Sequence, residues 1–92
     1  MSIVLIGGNE CMERRYLDLC KSYNCKAKIY AKMKRGLQNI GSPDLLVLFT
    51  STMSHKMLRT VMNETKGTGT RVVRCQSSSM NALRGVLDEH AR

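Results

Sequence analysis

Hydroxyl groups crowd into two short stretches of the chain, "FTSTMSHK" from Phe49 to Lys56 and "RCQSSSMNAL" from Arg74 to Leu83. One serine suffices to cap a helix, and Ser54 and Ser79 stand where caps are needed, each stabilising by about 0.5–2 kcal/mol. Thr50, Ser51, Thr52, Ser77 and Ser78 are then left over. A third stretch, "GGNE", brings Gly7 and Gly8, which allow close backbone approach, and the Asn9 amide. Hydroxyls, N–H groups at helix starts and the positive end of a helix dipole together suit an anion such as phosphate or carboxylate. Lys56 and Arg74 would add full positive charge. The bland alternative is that these polar residues only cap helices and shape turns.

Catalytic candidates are fewer. His55 at a helix start could act as a general base, a proton donor, or a ligand to a metal or haem. Cys75, ending a strand, would face the same edge, and with His55 it could form a nucleophile and base pair. Cys11 lies near a helix N-terminus, where a thiolate is favoured. His90 is read as an exposed residue near the C-terminus. No carboxylate pair or cluster of metal ligands supports a catalytic reading further, so the chain is expected to bind rather than to catalyse. "GGNE" has neither the spaced glycines of G-x-G-x-x-G nor the Gly-Lys-Ser/Thr ending of a phosphate loop. Glu10 and Glu13 would also repel a phosphate from the first helix. A bound nucleotide would therefore rest on the third and fourth strands.

The four cysteines, Cys11, Cys20, Cys25 and Cys75, are separated by 9, 5 and 50 residues. None of these spacings is the Cys-x-x-Cys of zinc or redox sites. Without a secretory leader they are expected to be free thiols, mostly small buried side chains, and no structural metal is expected. Lys and Arg outnumber Asp and Glu by 15 to 7, a net charge of +8, which favours an anionic partner. Lys26, Lys28, Lys32, Lys34 and Arg35 cluster in "KAKIYAKMKR" with no acid among them. They either keep an edge strand and loop soluble or track nucleic-acid phosphates without sequence preference. One Phe and three Tyr provide poorly for base stacking.

These groups need elements to place them. Ninety-two residues with 42% apolar content make one domain with one core, spanning residues 1–92. No apolar run nears the roughly 20 residues of a membrane span, so a soluble, cytoplasmic protein is expected. "SIVLI", "NCKAKIY", "DLLVLFT" and "RVVRC" read as strands. Helical spacing predicts helices over Glu10–Tyr23, His55–Lys66 and Ser79–His90, and Ala31–Gly41 reads as a loop. Alternation of strand and helix predicts a small three-layer α/β domain, Rossmann-like or flavodoxin-like, with a four-stranded parallel sheet in the order 2-1-3-4. Ligands in such sheets bind at the carboxyl ends of the strands, where the chain reverses direction between strands 1 and 3. The two edge strands leave room for a homodimer.

Taken together, "SIVLIGGNE", "LFTSTMSHKM" and "KGTGTRVVRCQSSSMNAL" resemble the bacterial domain of unknown function 2325 family over nearly the whole chain. The resemblance implies a bacterial origin and a small Rossmann-like fold, and by itself no activity. Some longer relatives place a cysteine near the Ser-His pair and another in the following helix. Thr52 or Met53 and Met62 or Asn63 stand there in this chain, so no redox or metal role is carried over.

Overall fold

The computed structural model describes residues 1–30 and 43–91. The segment read as a loop, and with it Lys32, Lys34 and Arg35, lies outside the described residues. Strands β1 (Ser2–Gly7), β2 (Lys26–Tyr30), β3 (Leu45–Phe49) and β4 (Arg71–Cys75) form one parallel sheet in the order β2-β1-β3-β4. Helix α1 (Glu13–Ser22) follows β1, α2 (His55–Thr65) follows β3 and α3 (Met80–His90) follows β4.

Every residue of β3 is buried, because a central strand with helices on both faces has no solvent side. Its alternate residues feed two cores. Leu45, Val47 and Phe49 join Ile3, Leu5, Tyr16, Leu83 and Leu87 on the face covered by α1 and α3. Leu46 and Leu48 join Val4, Ile6, Met57 and Val61 on the face covered by α2. The chain leaves β1 in one direction and β3 in the other, so right-handed crossovers put α1 and α2 on opposite faces. The sheet order and the site edge follow from this reversal.

The first helix begins later than its apolar spacing predicts. The Asn9 side chain accepts from the Cys11 N–H at 2.9 Å and starts a 3-10 turn, Glu10–Met12, so the α-helix opens only at Glu13. It ends where Asn24 takes the left-handed conformation (φ 59°), which asparagine tolerates. Tyr16 and Cys20, one turn apart, point inward, while Met12, Leu19 and Tyr23 only flank the core. His90, expected to be exposed, is only 15% exposed at its side chain. It lies against Arg71, whose Nη1 is 3.4 Å from His90 Nδ1, because the last turn of α3 returns over the start of β4.

Cys20 and Cys25 are buried, Cys11 is exposed, and all four thiols are free. Burial, with a smaller contribution from neighbouring Cys25, pushes the Cys20 thiol from an ordinary value near 9.0 up to about 11. Because the folded value is the higher one, the stability this thiol contributes is complete below pH 9 and lost as pH rises toward 11. We expect the wild-type protein to lose roughly 2 kcal/mol more stability than Cys20→Ala across that window. Urea midpoints at pH 8 and pH 10.5 check this, and parallel losses in both proteins would refute it.

Candidate functional site

The parallel register sets three residues in a row at the carboxyl edge. Gly7 pairs with Phe49, and Phe49 pairs with Cys75, so the loops after β1, β3 and β4 leave the sheet side by side. Two long-range clasps join them. In the first, the Gly8 N–H donates to Thr52 Oγ1 at 2.6 Å, and that hydroxyl donates to the Phe49 carbonyl at 3.0 Å. In the second, the Tyr16 hydroxyl donates to the Ser78 carbonyl at 2.5 Å and lies 3.4 Å from the Asn9 N–H. Tyr16 is fully buried, and its ring stacks on Phe49 with centroids 5.4 Å apart. Gly8 sits on those two rings, where a Cβ would come within 3.1 Å of each.

The hydroxyls divide between structure and surface. Ser54 Oγ accepts from the Met57 N–H and Ser79 Oγ from the Ala82 N–H, both at 3.2 Å, so each caps its helix. Ser77 Oγ accepts from the Ser79 N–H and orders the turn before α3. In "SSS", then, one serine caps, one shapes the turn, and Ser78 gives its carbonyl to Tyr16. The hydroxyls of Thr50, Ser51 and Ser78 have no partner among the described residues. A side-chain cap satisfies one of the N–H groups that open each helix, so others at the starts of α2 and α3 face the same edge. The edge is open, with no enclosed pocket among the described residues.

His55 and Lys56 are exposed in the first turn of α2, and Arg74 is exposed on β4. Arg74 pairs with Leu48 and so points to the face that α2 covers. Cys75, the next residue, packs on the opposite face, and its thiol donates to the Ser77 carbonyl at 3.0 Å. The sheet thus separates Cys75 from the helix that carries His55. Among the described residues, no group of three His, Cys, Asp or Glu stands together to hold a metal ion. No described helix is long and apolar enough to cross a membrane.

Two residues gain roles that local sequence does not disclose. Thr52 joins the first and third loops instead of standing free for a ligand, and Tyr16 ties the first loop to the fourth. The signal for Tyr16 is faint: a tyrosine at a buried helical position must find a partner for its hydroxyl.

The model of the family DUF2325, described as an uncharacterized protein conserved in bacteria, matches residues 2–90. The chain belongs to this family. The DUF2325 match takes in the four described strands, the three described α-helices and the three loops of the candidate site. No curated protein and no solved structure matches the chain. The DUF2325 description names no activity, so the chemistry rests on the residues themselves.

Proposed function

We propose that the protein is a binding module that holds a small anionic, phosphate-bearing ligand at the carboxyl ends of β1, β3 and β4, in a regulatory rather than a catalytic role. One observation carries this reading: two capped helix starts and the glycine loop are clasped together on a single edge, with the hydroxyls of Thr50, Ser51 and Ser78 left over. Such an edge meets an anion with N–H groups that the clasped loops hold in place and with hydroxyls free to turn toward it, so little backbone ordering attends binding. Exposed Lys56 and Arg74 supply charge nearby. A cytoplasmic setting fits a ligand of this kind.

Thermal unfolding against phosphate, sulfate, common nucleotides and haem at matched ionic strength tests the proposal. A ligand present at about 100 times its dissociation constant stabilises by roughly 2.7 kcal/mol, a shift on the order of 10 °C for a domain of this size. We expect one phosphate-bearing ligand to produce such a shift and Ser78→Ala to diminish it while leaving the unliganded melting temperature nearly unchanged. A wild-type protein indifferent to every anion would overturn the reading.

A further inference from the structure

The charge of this protein is divided between its two faces. On the α1 and α3 side, Arg14, Arg15, Lys21, Arg84 and Arg71, which pairs with Leu45, are offset by Glu10, Glu13, Asp18, Asp88 and Glu89. The α2 side has no such balance. Lys28 pairs with Val4, and Arg74 pairs with Leu48, so both edge strands turn cations toward the face that α2 covers, and Lys26 follows Lys28 by strand alternation. Between those edges α2 carries Lys56 and Arg59, and Lys66 follows at its end, against Glu64 as its one acid. All six basic residues are exposed, and none makes an ion pair with a described residue.

Their spacing limits the partner. Met57, Val61 and Thr65 form the buried stripe of α2, which puts Lys56, Arg59 and Lys66 along the outward one. At a rise of 1.5 Å per residue, these three cations span about 15 Å. A single phosphate reaches only one of them. A nucleic-acid duplex, with one charge per roughly 1.7 Å of axis, presents about nine phosphates over the same length.

We propose that the α2 face, flanked by Lys26 and Lys28 on one edge strand and Arg74 on the other, docks on the phosphate backbone of a nucleic-acid duplex without reading its sequence. Backbone contact suits this surface better than base stacking. Tyr16 and Phe49 are fully buried, and Tyr23 and Tyr30 are half-buried against the cores, so no aromatic ring stands ready for a base. A bilayer is a poorer match. The exposed large apolar residues among those described are Met1 and Leu17, not residues of α2, and an anchor needs apolar insertion beside charge.

The experiment is fluorescence anisotropy of a random-sequence duplex DNA with the full chain, titrated at several salt concentrations. With six phosphate contacts, affinity should fall about a thousandfold between 50 and 200 mM salt. Lys28→Gln, Arg59→Gln and Lys66→Gln together should reduce that fall to about fortyfold, a slope shallower by about 2.7. Arg14→Gln, Arg15→Gln and Arg84→Gln remove the same charge from the other face and should leave the slope at its wild-type value. Equal losses in both triple variants would mean that net charge acts and no surface does, which overturns the proposal. No binding at 50 mM salt overturns it too, as does preference for phosphatidylserine vesicles over the duplex. Should the first triple variant fail to melt cooperatively, Arg59→Gln alone should still lower the slope by about 0.9. The substitutions leave Lys56, Arg74 and Ser78 in place, so failure here does not bear on the loop site.

Discussion

Gly7→Ala is expected to destabilise the protein by about 2–5 kcal/mol, a large part of the total for a domain whose whole stability is roughly 5–14 kcal/mol. Two costs add. Gly7 has φ +84°, and a Cβ in the left-handed region costs about 1–2 kcal/mol. The new Cβ would also lie 2.8 Å from Thr52 Oγ1, 2.9 Å from Met53 Cγ and 3.0 Å from the Phe49 carbonyl oxygen. The Met53 side chain can swing aside, but the carbonyl belongs to a central strand and cannot. Moving Thr52 would break its bond to the Gly8 N–H. Overpacking of this kind costs roughly a further 1–3 kcal/mol. Gly67→Ala provides the comparison, since Gly67 has φ +79° with no atom within 4 Å of its would-be Cβ, so it should cost only the backbone part. Urea unfolding of both variants measures the difference. Equal losses would mean that the first loop is not held against Thr52.

The same loop explains what could be read from sequence and what could not. "DLLVLFT" and "SIVLI" are legible as central strands because burial on both faces leaves no polar alternation, and strand–helix alternation points to the order 2-1-3-4, with crossover handedness then setting which face each helix covers. Ser54 and Ser79 are legible because capping is a contact within three residues. Gly8 and Thr52, in contrast, are 44 residues apart, and Tyr16 and Ser78 are 62 apart. Their bonds exist only after the strands have paired, so hydroxyl-rich loops read alone suggest more free hydroxyls than the folded edge presents. The cationic face was hidden for a related reason. Lys26 and Lys28 read as one end of a basic segment, whereas strand register aligns them with α2 and Arg74. His90 likewise takes its burial from the return of α3 over β4, a contact with no local signature.

Tyr16 offers the second large effect and the sharper test of the clasped edge. Tyr16→Ala should cost about 3–5 kcal/mol, since it empties a fully buried position and removes the ring that stacks on Phe49. Tyr16→Phe keeps the ring and deletes only the hydroxyl, leaving the partly buried Ser78 carbonyl without its donor, for about 1–3 kcal/mol. The smaller variant carries the functional argument. Tyr16 has no exposed surface and cannot touch a ligand, yet it is the link between the serine loop and the first loop. If the edge binds anions through groups held in place beforehand, Tyr16→Phe should weaken the ligand-induced rise in melting temperature beyond its effect on the unliganded protein. Ser78→Ala should do so with almost no cost to the fold. If Tyr16→Phe lowers stability but leaves the ligand response intact, the hydroxyl serves packing alone and the loops bind independently. A joint loss would mean that a buried phenol, 62 residues from Ser78 in sequence and one hydrogen bond away in space, sets the geometry in which the anion is met.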